Sequence, residues 1–128
     1  MKALIDTHVL LWWVLDDPRL SARGAEILED GRNDLYVSAA SAYEIGVKAG
    51  TGRLAIPEPA ATYVPSRLAA NGLSAMAVEL NHALRAASLP PIHRDPWDRL
   101  LVAQAQIEGI PIVTADPRIG QYDVETIW

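Results

Sequence analysis

Short apolar runs alternate with segments of helical periodicity along nearly the whole of this chain. That alternation restricts it to a parallel sheet packed between helices. Ala3-Leu4-Ile5 reads as the first strand and stops on Asp6; Leu35-Tyr36-Val37 is the second, and Met76 to Val78 a brief third. Ile110-Pro111-Ile112-Val113-Thr114 and Val124-Glu125-Thr126-Ile127-Trp128 follow late in the chain. Helices are expected from Thr7 to about Leu15, from a Ser21 cap to about Asp30, and from Ser38 to Ala49. Three more are expected: Ala60 to Ala70, Asn81 or His82 to Ser88, and a helix opening at Asp95-Pro96 that runs to about Glu108, with Gly109 as its stop. The expected architecture is three-layer α/β/α with a central, mostly parallel sheet, in a single domain spanning 1–128. The first helix, Thr-His-Val-Leu-Leu-Trp-Trp-Val-Leu, is apolar nearly all round and is expected to be buried on most sides.

Length and composition admit such a core. With 128 residues, half of them hydrophobic, the chain can bury one without disulfides or a structural metal. There is no cysteine, which excludes disulfide frameworks, thiolate zinc sites and cysteine nucleophiles. The N-terminus meets an acid too soon for a secretory signal, and no apolar run approaches the ~20 residues that span a bilayer. A cytoplasmic protein with no membrane partner is the expectation. The net charge of -5 is the wrong sign for simple electrostatic binding of nucleic acid. Divalent cations held by the protein can reverse that sign locally.

Two strands deliver an acid near their ends, Asp6 and Asp116, and in an open parallel sheet ligands collect at the carboxyl ends of the strands. Each acid also has an ordinary structural reading. Asp6 or Thr7 can cap the first helix. Glu44 completes a capping-box pattern with Ser41 and stands four residues before Lys48, the spacing of a surface ion pair. Asp95 before Pro96 suits a helix cap, which would place Asp98 in the favoured acidic first turn. Asp116 before Pro117 suits a turn.

The wording around the acids is more specific. Leu4-Ile5-Asp6-Thr7-His8-Val9-Leu10-Leu11-Trp12-Trp13, Ser38-Ala39-Ala40-Ser41-Ala42-Tyr43-Glu44-Ile45, His93-Arg94-Asp95-Pro96-Trp97-Asp98-Arg99-Leu100-Leu101-Val102-Ala103-Gln104-Ala105 and Val113-Thr114-Ala115-Asp116 follow one another in that order. Together they resemble the four motifs of the PIN-domain family, and within it the VapC-like toxin ribonucleases of toxin–antitoxin modules. The resemblance covers essentially the whole chain. It implies a metal-dependent endoribonuclease whose acidic site is Asp6, Glu44, Asp98 and Asp116, with Thr7 and Thr114 as hydroxyl helpers and Asp95 as a less secure fifth acid. Asp6 and Asp98 would be direct ligands, with Glu44 and Asp116 binding a second ion or holding its waters. It also implies an RNA substrate, an antitoxin partner and a homodimer.

Carboxylates without thiolates suit hard cations, so Mg²⁺ or Mn²⁺ is expected and zinc is not. Among the histidines, His8 has two readings, first a buried, hydrogen-bonded helix histidine and second a residue at the rim of the acidic site; His93 and Arg94 are candidates for phosphate contact, and nothing marks His82. Lys48, Arg53, Arg94, Arg99 and Arg118 lie near the motifs and are candidates for phosphate binding, against an ordinary reading as solvated charges or an ion pair to Glu44. Trp12, Trp13 and Trp97 read first as core and second as an interface. The competing function classes are a receiver-like phosphoacceptor domain and a catalytically idle binding module. A phosphoacceptor wants adjacent acids after the first strand and a late lysine, and no lysine follows Lys48.

Overall fold

The computed structural model describes residues 1–128. Five strands, β1 (Lys2–Ile5), β2 (Asp34–Ser38), β3 (Ser74–Met76), β4 (Ile112–Val113) and β5 (Thr126–Ile127), form one sheet. Their order is β3-β2-β1-β4-β5, and every pairing is parallel. Six helices surround it: α1 (Thr7–Val14), α2 (Ala22–Glu29), α3 (Ala39–Gly50), α4 (Ala60–Ala70), α5 (Leu80–Ser88) and α6 (Pro96–Glu108). A receiver-like sheet would run 2-1-3-4-5. The observed order removes that alternative.

The pleat explains why β1 is central. Ala3 and Ile5 enter one core cluster with Leu35, Val37 and Val113, while Leu4 enters the other with Ile112, Leu101 and Val102. Alternate residues therefore face opposite layers, and all three are fully buried because helices cover both faces. Ile5 pairs with Val113, so the residues that follow them, Asp6 and Thr114, emerge side by side at the carboxyl edge. The strand order reverses between β1 and β4, and the crevice at such a switch point is where α/β sheets hold ligands.

Several boundaries differ from the sequence expectation. The late strands are shorter, because only Ile112–Val113 and Thr126–Ile127 find ladder partners. β3 ends at Met76 and leaves out Val78. α5 begins at Leu80, since His82 Nδ1 accepts the Glu79 backbone N–H at 2.9 Å and fixes the first turn there. With Nδ1 accepting, the His82 hydrogen is on Nε2, which meets Glu108 Oε1 at 2.9 Å. That histidine is a buried helix-end clasp. In α1, only Thr7, Val9 and Leu10 are buried, whereas Leu11, Trp12, Trp13 and Val14 pack half-buried against the core. Trp13 Nε1 donates to Asn71 Oδ1 at 2.9 Å, and Arg19 lies 5.2 Å over the Trp12 ring, so neither indole is plain core filling. No helix is long and apolar enough to cross a membrane.

Candidate active site

Asp6 caps α1: its Oδ1 accepts the His8 backbone N–H at 3.3 Å. Its other oxygen, Oδ2, accepts the Thr114 hydroxyl at 2.6 Å, and Thr114 Oγ1 in turn accepts the Asp116 N–H at 3.0 Å. Two neighbouring strands are thus laced together by the first acid and the last motif. The Thr114 hydroxyl thus lies directly on an acid. The Thr7 hydroxyl hydrogen-bonds elsewhere, donating to Ser41 Oγ at 2.7 Å and tying α1 to α3.

α3 starts at Ala39 because Ser38 at the end of β2 accepts the Ala40 N–H at 3.0 Å. Ser41 and Glu44 consequently lie inside the helix, and no capping box joins them. Glu44 is 1% exposed and carries an ion pair from Lys48 Nζ to Oε2 at 2.5 Å. Its Oε1 is buried with no hydrogen-bond partner. A buried carboxylate oxygen left unpaired is costly, and a cation is the kind of group that satisfies it.

Asp95 is the cap of α6: Oδ1 accepts the N–H groups of Trp97 at 2.9 Å and Asp98 at 3.4 Å. Asp98, at the third helical position, is turned inward and buried. Burial, with Asp6, Asp95 and Glu44 nearby, pushes its carboxyl up to about 8. Asp116 goes the other way: burial opposes ionisation, but the Arg118 backbone N–H and the His93 ring hold its carboxyl below the ordinary range. Asp6, Glu44, Asp98 and Asp95 thus form one electrostatic cluster, and Asp116 joins it through His93.

His93 is the residue that the sequence reading placed elsewhere. It is buried and faces the acids, with Nε2 2.8 Å from Asp116 Oδ2 and 3.1 Å from Asp98 Oδ2. Ligand atoms of His93, Asp98 and Asp116 all lie within 4.8 Å of one another. His8, conversely, is half-exposed, 3.8 Å from Asp6 Oδ1, and hydrogen bonding to Asp6 raises its pKa against the effect of burial. Arg99 also departs from expectation. Its guanidinium donates to the carbonyls of Ala86 at 2.8 Å, Leu89 at 3.0 Å and Pro90 at 3.0 Å, so it clamps the loop before α6 and is not free for phosphate. Lys48 takes its ion-pair reading and also lies 5.9 Å over the Trp97 ring. Arg118 stays on Asp116, at 3.5 Å.

The fold and the site together define the class as a three-layer parallel α/β protein with an acid cluster at the switch point of its sheet. The PIN domain family model matches residues 3–125, and the chain belongs to that family. Ribonuclease VapC22 of Mycobacterium tuberculosis is 30% identical over 120 residues, covering 93% of this chain and 90% of that protein. Ribonuclease VapC16 of the same organism is 43% identical over 79 residues, spanning 58% of this chain and 56% of the relative. Among solved structures, a toxin–antitoxin complex from Klebsiella pneumoniae superposes with a TM-score of 0.66 at 17% identity, covering 98% of this chain and 96% of that one. The last likeness concerns the fold.

Proposed function

We propose that this chain is a metal-dependent endoribonuclease that hydrolyses RNA phosphodiesters, acting as the toxin of a toxin–antitoxin pair. The observation that carries the reading is the convergence of acids at the switch point, with Glu44 Oε1 buried and unpaired. The names of the two relatives as ribonucleases, and of the structural neighbour as a toxin–antitoxin complex, support the substrate and the partner.

Asp6, Glu44, Asp98 and Asp116 would hold Mg²⁺ or Mn²⁺, hard cations that match an oxygen-rich donor set. When bound, such an ion lowers the pKa of a water and neutralises charge on the phosphate. The chain's own residues prepare that site. Thr114 fixes Asp6, Lys48 occupies one Glu44 oxygen and leaves the other free, and Thr7 braces α1 against the helix that carries Glu44. Burial, with acidic neighbours adding to it, holds the Asp98 carboxyl up at about 8, so positive charge arriving at the site favours its ionisation. Asp95 serves α6 as a cap and adds negative charge beside Asp98. A homodimer and an antitoxin whose basic segment covers the acidic groove complete the proposal, since complementary charge favours that pairing.

Cleavage of structured RNA in Mg²⁺ or Mn²⁺ tests the reading, comparing the parent chain with Asp6→Asn and Asp98→Asn. Each substitution is expected to lower cleavage by more than about a hundredfold, beyond the loss typical of outer-sphere partners. Equal cutting by all three, or none by a folded, metal-loaded parent, removes the nuclease assignment. Co-expression with a neighbouring gene product that relieves toxicity separates a toxin from a general nuclease.

A further inference from the structure

His93 lies among three atoms that a metal could bridge, and on spacing alone it is a candidate ligand. Its hydrogen bonds say otherwise. The backbone N–H of Asp95 donates to His93 Nδ1 at 3.1 Å, so Nδ1 must offer a lone pair. The ring hydrogen is then on Nε2, the nitrogen that faces Asp116 Oδ2 and Asp98 Oδ2. A nitrogen that carries a hydrogen has no lone pair for a cation. We infer that His93 is a positioning residue, whose Nε2–H holds Asp116 beside Asp98 in the arrangement that receives a divalent cation, and that it is not itself a ligand.

The surroundings fix the ring for that task. The His93 backbone N–H donates to the Tyr122 hydroxyl at 2.8 Å, and that hydroxyl donates to the Pro90 carbonyl at 2.9 Å. Arg99 reaches the His93 carbonyl at 3.4 Å while it clamps Pro90 and Leu89. Backbone and ring are therefore held on several sides before any ion arrives. The ring N–H is hydrogen-bonded to Asp116, and Nε2 lies 3.1 Å from Asp98 Oδ2, so its positive edge stands beside both acids. Outer-sphere partners of this kind typically change metal affinity by about 10–100-fold. Asp95 gains a second role, because its backbone N–H selects the His93 tautomer while its side chain caps α6.

The inference rests on the reading of Asp98 and Asp116 as cation ligands, and its test reads binding as well as cleavage. Nitrogen-15 NMR of the intact protein, without metal and loaded with Mg²⁺, is expected to show the His93 hydrogen on Nε2 in both states. Calorimetric titration with Mg²⁺ is expected to find His93→Leu weakened by about tenfold or more. His93→Gln, whose amide N–H can stand where Nε2–H stands, is expected to recover most of the affinity. Loss of the Nε2 hydrogen on Mg²⁺ addition, a hydrogen on Nδ1, or unchanged affinity in a folded His93→Leu overturns the inference. Should His93→Leu fail to fold, the parent spectrum and His93→Gln still decide. A parent chain that binds neither Mg²⁺ nor Mn²⁺ overturns both this inference and the proposed function. A chain that binds Mg²⁺ with the expected His93 signature yet cuts no RNA supports the inference and removes only the nuclease.

Discussion

Thr114 shows how much one side chain can settle. Its hydroxyl gives a hydrogen to Asp6 Oδ2 and takes one from the Asp116 N–H, joining two of the candidate acids through a single oxygen. Thr114→Val keeps the shape and deletes both bonds. Hydrogen bonds to charged groups contribute about 1.5–3 kcal/mol, and urea denaturation of the variant is expected to show a loss of that order together with weaker Mg²⁺ binding. Asp98 sets a second expectation. Its folded pKa of about 8 lies above the ordinary 3.8, so the fold favours the protonated acid. The stability that protonation contributes is complete below the ordinary carboxylate range and is lost as pH rises through about 8. His8, raised by Asp6, has the same sign in this window; Asp116, lowered, acts only as pH falls below the ordinary carboxylate range. Thermal melts in EDTA are therefore expected to show a falling Tm from about pH 5 to about pH 8, with Mg²⁺ restoring most of the loss and Asp98→Asn flattening the slope. A Tm that rises across that interval contradicts the assignment of the shift to burial among neighbouring acids.

At the scale of the element, α6 makes two demands that fall on neighbouring acids. Asp95 satisfies the N-terminal N–H groups, which leaves Asp98 free to turn inward. Asp95→Ala is expected to cost about 1 kcal/mol of stability, and Asp95→Ser, which keeps a capping oxygen, a few tenths. Both are expected to bind Mg²⁺ far better than Asp98→Asn, because the backbone N–H that meets His93 Nδ1 survives any side-chain change. Binding by Asp95→Ser as poor as by Asp98→Asn would make Asp95 a ligand. The Asp95 cap was legible from Asp95-Pro96, since capping is a local matter decided within a turn, whereas the choice of Asp98 over Asp95 for the site came from the resemblance of the motif around it. The cap of α3 was not legible, because Ser38 and Ser41 offer the same hydroxyl three residues apart and only the end of β2 selects Ser38. The roles of His93 and Arg99 escaped for a related reason: their partners on α5, on the loop beyond it and at Asp116 and Tyr122 are brought near by folding and not by spacing. Repeated structural clues, a histidine beside Tyr122 and an arginine facing carbonyls, leave no mark in one sequence.

For the whole molecule, the alternation of strands and helices was sufficient to read a parallel sheet, while the strand order that excludes a receiver-like fold had to be seen. That order places the N-terminal strand at the centre, flanked by β2 on one side and β4 on the other. A chain ending at Gly109 would lack β4 and β5, exposing one edge of β1 and leaving Asp6 Oδ2 without Thr114. Circular dichroism of that truncation is expected to show no cooperative thermal transition, and a sharp melt like the parent's would mean that β1 and its acid stand without their late partners. The same bond between Asp6 and Thr114 spans 108 residues of chain. At about 5–20 residues per second of synthesis, the two halves of that contact are made roughly 5–20 s apart. Under the proposed function, the acid set is incomplete until Thr114 and Asp116 have been made and have folded against Asp6. The order of translation then works as a delay, and the growing protein acquires its candidate chemistry only once β4 has joined β1.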